Sequence, residues 1–153
     1  MRRREFITRL GGAAMALPLA AHAQQSKQMR RIAVLMNIAA DSPEAPDRIG
    51  ALAQRLAERG WTIGGNVQVD YRWYASDADA SRKYAEELIA LAPDVFLATG
   101  TLAATALQRA AGRVPVVFTL VSDPVGAGLV DSLAQPGGNI TGFMNFEYGS
   151  SAK

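Results

Sequence analysis

Apolar and polar positions alternate along this chain in two rhythms, and the rhythm changes at turn residues. "RRIAVLMN" (Arg30 to Asn37) is a short apolar run that stops at polar residues, which predicts a strand buried on both faces. "DSPEAPDRIGALAQRLAERGW" follows, with Ile49, Leu52 and Leu56 at helical spacing. Asp41 to Asp47 reads as loop and cap, and Gly60 as the stop. "NVQVDYRWY" (Asn66 to Tyr74) has period two: Val67, Val69, Tyr71 and Trp73 face one way, and Gln68, Asp70, Arg72 and Tyr74 the other. That is the pattern of a half-exposed edge strand. "DADASRKYAEELIALAP" predicts a second helix with Tyr84, Leu88 and Leu91 on one face. "DVFLATG" (Asp94 to Gly100) and "VPVVFTLVSD" (Val114 to Asp123) predict two more buried strands. Between them lies the alanine-rich helix "TLAATALQRAAG", closed by Gly112. "PVGAGLVDSLAQPGG" predicts a weak helix or a loop, and "NITGFMNF" (Asn139 to Phe146) a last strand.

The order β-α-β-α-β-α-β-(α)-β specifies an α/β fold, a doubly wound parallel sheet with helices covering both faces. In open sheets of this kind ligands bind beyond the C-terminal strand ends, where the strand order reverses. The candidate positions are therefore Asn37, Thr99 to Thr101, and Ser122 to Pro124. Gly100 permits a tight turn into a helix. The N–H groups near Leu102 and Ala103 then face outward at the positive helix end, which suits a carboxylate. The plainer alternative is that Thr99 or Thr101 caps the helix. Asp123 either projects into a cleft toward an ammonium or a hydroxyl, or starts a helix ahead of Pro124. Asn37 is a candidate donor or a turn residue. Trp61 is expected to pack, and Tyr74, near a strand end, is a candidate to stack on a ligand. "GGNITG" and "GAG" lack the strand-turn-helix spacing of a dinucleotide site, and no phosphate-loop lysine is present. Glu86 and Glu87 diverge by about 100° around their helix and form no carboxylate pair.

The first residues, "MRRREFITRLGGAAMALPLAAHAQQ", follow neither rhythm. Gly11, Gly12 and Pro18 make a poor helix. Arg2 to Arg4 form a positive start, Leu10 to Ala20 a mildly apolar run, and Ala21-His22-Ala23 a small-residue cleavage signal before Gln24. Arg3, Arg4 and Phe6, with Ile7, resemble the twin-arginine export motif. An ordinary secretory signal is the alternative. The apolar run falls short of the roughly 20 residues that span a bilayer. The expected organisation is a signal over 1–23, cut before Gln24, and a flexible start over 24–29.

Removing that leader changes the charge. The remainder holds twelve basic and thirteen acidic residues, a net of −1, so nothing argues for nucleic acid. The chain has no cysteine, and its one histidine, His22, lies in the leader. Disulfides, thiolate chemistry, His-based triads and His metal ligands are excluded from the remainder. No cofactor and no metal are expected. About 130 residues suffice for one domain with its own core.

"RRIAVLMN", "LAQRLAERGWTIGGNVQVDYRWYASD", "YAEELIALAPDVFLATGT" and above all "VPVVFTLVSDPVGAGLVDSLAQPGGNITGF", behind that leader, resemble a known family. They look like the ABC-transporter substrate-binding proteins of the kind that includes tryptophan- and phenylalanine-like amino-acid binders. The resemblance implies a type I periplasmic-binding fold: two hinged α/β lobes that trap a ligand between them. It implies a non-enzymatic protein of the periplasm that binds a small polar ligand, an amino acid being one candidate. Its partners would be an ABC permease in the inner membrane and the twin-arginine or Sec export machinery. The matching cleft positions are Asn37, Thr99, Gly100, Thr101, Ser122 and Asp123, with Asn145 beyond them. Residues 30–138 match the first lobe, and 139–153 the crossover toward a second lobe, so a truncated frame is expected. The rival readings are a sensor module docking on a receptor, an exported enzyme using carboxylates, and a non-functional remnant.

Overall fold

The computed structural model describes residues 29–145. The expected leader, with Arg3, Arg4, Phe6, Ala21 and Ala23, lies outside the described residues, as do 24–28 and 146–153. The elements are β1 (Arg30–Met36), α1 (Ala45–Glu58), β2 (Val67–Trp73), α2 (Ala78–Ala90), β3 (Val95–Thr99), α3 (Thr101–Ala110), β4 (Val116–Val121) and β5 (Ile140–Met144). The five strands form one parallel sheet in the order β2-β1-β3-β4-β5. The strand order reverses beside β1, between β1 and β3. Ile140–Met144, expected at the crossover, pairs with β4 as the fifth strand of this sheet.

Local chemistry sets the helix ends. Gly60, at φ +83°, closes α1: its N–H reaches Ala57 O at 3.0 Å, and the Trp61 N–H reaches Leu56 O at 2.9 Å. This double bond pattern is a left-handed cap with its apolar contact, since Leu56 and Trp61 line one hollow. Trp61 shares this hollow but stays 38% exposed, so it packs less than its position after the glycine predicts. The Asp77 carboxylate accepts the Ala80 N–H at 2.8 Å and caps α2.

The register explains the core. Ala33, Phe96, Val116 and Ile140 lie in one cross-strand row, and Leu35, Ala98, Phe118 and Gly142 in the next. Both rows face α2 and α3, whose Ala85, Leu88, Ala103, Ala104 and Leu107 complete the buried cluster. Each fully buried Leu or Phe there contributes about 1.5–3 kcal/mol. Gly142 is obligatory: a Cβ would stand 2.6 Å from the Phe118 ring.

Helices lie on both faces, as expected, but unequally. Right-handed crossovers put α1 on one face, and α2 and α3 on the other. Under α1, Val34 and Met36 are buried. Farther along the same face Leu97 and Val117 are half-buried, and Phe143 is 72% exposed. The expectation of full cover on both faces therefore fails over β3–β5. Between β4 and β5 the loop alternative holds rather than the helix, because Pro124, Gly126 and Gly128 crowd one short stretch. That loop still seals the α3 side: Leu129 and Val130 are buried, and the Gln108 amide donates to Gly128 O and Leu129 O.

Candidate functional site

The C-terminal ends of β1 and β3 meet at the reversal point, and Asn37, Thr99, Gly100 and Thr101 gather there. The Thr99 hydroxyl accepts the Asn37 N–H at 2.8 Å and lies 3.0 Å from Asn37 Oδ1. Thr99 is 5% exposed, so its side chain ties β3 to β1. Arg48, from α1, donates to Asn37 Oδ1 at 2.9 Å and pairs with Glu44. With two donors on Oδ1, the Asn37 amide nitrogen is the group left to turn toward the opening, and it has no partner among the described residues.

Gly100 opens α3 at φ +86° and ψ 162°, and no side chain caps the helix. This corrects the alternative that Thr99 or Thr101 would be the cap. Thr99 is engaged with β1, and Thr101 is already the first helical residue, exposed at the surface. The N–H groups of Thr101 and Leu102 have no partner among the described residues, as expected of a first helical turn. These N–H groups, the Asn37 amide and the helix dipole all favour an acceptor or an anion.

Tyr74 does not stack on anything in the opening. It is 3% exposed, and its hydroxyl donates to Thr99 O at 2.8 Å. Burial raises its phenol pKa above the usual value, opposed in part by the Ala103 backbone N–H directed at the same oxygen. Ser122, Asp123 and Asn145 form a second group at the ends of β4 and β5, where all three are exposed. Asp123 Oδ1 accepts the Gly126 N–H at 2.7 Å and stabilises the following turn, while the Asn145 N–H bonds Val121 O at 3.0 Å. Among the described residues no three His, Cys, Asp or Glu side chains converge as metal ligands would.

Residues 31–149 match the family described as ABC transporter substrate binding protein. The chain belongs to that family. It is similar to a tyrosine-binding protein of Clostridioides difficile, 28% identical over 121 residues, which are 79% of this chain and 34% of the relative. A solved conserved domain protein from Vibrio cholerae superposes with a TM-score of 0.71 at 32% identity, covering 78% of this chain and 40% of that one. A Streptococcus pneumoniae ABC domain in complex with L-Trp superposes with a TM-score of 0.68 at 29% identity, covering 76% and 39%. The chain thus spans about a third of the curated relative's length and two-fifths of the solved ones. This parallel sheet has the α/β architecture of a type I periplasmic-binding lobe.

Within this substrate-binding lobe, the expected positions divide in two. Asn37, Thr99, Gly100 and Thr101 converge, and Ser122, Asp123 and Asn145 sit apart at the next two strand ends. Three contributors escaped the sequence: Arg48, Ser76 and the buried role of Tyr74. Arg48 falls between the apolar positions of α1, where an arginine ordinarily meets water. Ser76 follows Ala75 in a tight turn with φ of +48° and +64°, and its hydroxyl donates to Asn37 O at 3.2 Å. For Tyr74 the period of β2 gave the right side of the sheet but not the depth.

Proposed function

We propose that this chain is one lobe of an exported solute-binding protein that takes an amino acid by its carboxylate. The donor-only surface at the β1 and β3 ends carries this reading: the Asn37 amide, the Thr101 and Leu102 N–H groups and the α3 dipole all ask for an acceptor. The amino-acid ligands in its relatives' names support it. In this reading the ligand ammonium meets Asp123, which is exposed at the end of β4. The lobe runs from β1 through β5, and a second lobe closes over the ligand, which shifts the open and closed populations. Signal cleavage before Gln24, export by the twin-arginine or Sec route, residence in the periplasm and delivery to an ABC permease complete the proposal.

The test is a titration of the ¹⁵N-labelled chain with L-tyrosine and L-tryptophan, followed by amide shifts. One lobe supplies half the contacts, so a dissociation constant on the order of 1 mM is expected. Shifts should centre on Asn37, Thr101 and Leu102. Equal shifts with tyramine and tryptamine, which lack the carboxylate, would sink the reading.

A further inference from the structure

We propose that the hollow between α1 and the bulged end of β4 receives the ligand's side chain, and that the Tyr71 hydroxyl within it selects an aromatic side chain ending in a hydroxyl, a phenol. The inference rests on the carboxylate reading given above and adds to it what the other end of the ligand meets.

Tyr71, Val34 and Leu97 form one cross-strand row on the α1 face. Where the cover of α1 gives out, Tyr71, Leu52, Leu97 and Leu120 line a hollow of about 340 Å³. Small-molecule sites are mostly apolar and measure about 300–1,000 Å³. Met36, Arg48 and Thr99 also line it. Met36 and Thr99 directly precede Asn37 and Gly100, and Arg48 donates to Asn37 Oδ1. The hollow therefore adjoins the donor surface at the ends of β1 and β3.

Two features ask for an occupant. The first is the Tyr71 hydroxyl oxygen, which is buried and makes no hydrogen bond among the described residues. A polar group in that condition costs free energy until something supplies a partner. Trp73 stacks on the Tyr71 ring, with centroids 5.8 Å apart and planes 15° apart, and holds it in place. Burial raises the phenol pKa, so the hydroxyl keeps its proton and can donate as well as accept.

The second feature is the end of β4. Between the pairs Phe118–Gly142 and Val121–Met144, Thr119 and Leu120 oppose the single residue Phe143. Leu120 takes up the extra residue at φ +59°, which is costly for an L-residue. In regular alternation Leu120 would share the α2–α3 side with Phe118. Val121 takes that side instead and is buried in the core, and Leu120 lines the hollow beside Thr119. Bulges re-aim side chains in this way beside functional sites. A phenol answers both features: its ring packs against Leu52, Leu97 and Leu120, and its hydroxyl pairs with that of Tyr71.

Tyr71→Phe removes the one oxygen. Titrations of the full chain, read by amide shifts, should give the unsubstituted protein a preference for L-tyrosine over L-phenylalanine of about fivefold or more, the worth of one hydrogen bond. The variant should prefer neither by more than about twofold, with L-phenylalanine affinity itself changed by less than that. No preference in the unsubstituted chain, or one that survives in the variant, overturns the proposal. The Tm of Tyr71→Phe should not fall, because the oxygen has no bond to lose; a drop beyond about 4 °C would mean the hydroxyl is already partnered, which also overturns it. p-Cresol, the side chain alone, separates this inference from the carboxylate reading. It should shift the amides of Leu97 and Leu120 and leave Thr101 and Leu102 in place. If p-cresol does so and L-tyrosine does not bind, the carboxylate reading falls and the hollow stands. If p-cresol leaves Leu97 and Leu120 unshifted, the hollow takes no phenol, whatever L-tyrosine does at Thr101. That arm uses the unsubstituted chain, so it decides the matter even where Tyr71→Phe does not fold.

Discussion

The Arg48 guanidinium donates to Asn37 Oδ1 at 2.9 Å and so joins the start of α1 to the end of β1. This bond fixes which way the Asn37 amide points. Arg48→Met should cost about 1 kcal/mol, the value of a charge-assisted bond reduced for partial exposure. Urea unfolding measures it. The same variant should weaken the L-tyrosine-induced shift at Thr101, because the freed amide can turn its oxygen to the ligand. Glu44→Gln, which removes only the exposed partner of Arg48, should stay within about 0.5 kcal/mol of the unsubstituted chain.

Gly100 tolerates no side chain. Gly100→Ala combines a glycine-only backbone with a 2.9 Å approach to the Tyr74 hydroxyl. A loss of about 1–3 kcal/mol in stability is expected, read as a lower Tm. A loss below about 0.5 kcal/mol would mean that the β3–α3 turn relaxes freely.

Ala75 offers the opposite sign. Its φ of +48° is unfavourable for an L-residue by about 1–2 kcal/mol. Glycine removes that cost but makes the unfolded chain freer by about 0.5–1 kcal/mol. Ala75→Gly should therefore raise stability by about 0.5–1 kcal/mol in the same urea assay.

Asp94 predicts a pH effect. The Arg31 backbone N–H, at 2.8 Å, and then the Arg30 side chain hold its carboxyl below the usual carboxylate range. A lowered folded pKa gives stability that is present above the unfolded pKa and lost as pH falls through the folded one. Unfolding curves of the parent and Asp94→Asn should thus differ near neutrality and converge as pH drops below about 4. The carboxylate is exposed, so the gap is small. A gap that widens in acid would refute the assignment.

Most of the sheet is readable from the residues because parallel strands bury both faces. The runs "IAVLM" and "VFLAT" have no polar side, and their ends fall within a residue or two of the observed β1 and β3. That same property hides which face is covered. Leu97 and Val117 are as apolar as Phe96 and Val116, yet only the latter pair is sealed by helices. The site divides along a similar line. Position alone brings Asn37 and Thr99 together, since both end strands that prove to be neighbours. The Arg48 bond to Asn37 and the Tyr74 bond to Thr99 O depend on side-chain reach across elements, which leaves no trace in spacing. Phe143 alternates correctly with Gly142, but nothing in the alternation reveals that it faces water.

The unequal cover of the sheet has a kinetic consequence during synthesis. After β2, strand β3 joins the free edge of β1, and β4 and β5 each join the strand before them, so the three add in the order in which they emerge. Their α2–α3 side is sealed as it grows, by segments that lie between the strands. The other side receives only the flank of α1 over β3, and no helix among residues 29–145 over β4 and β5. A nascent chain at this stage carries an open apolar strip from Leu97 to Phe143, the kind of surface that chaperones hold and that aggregates when they do not.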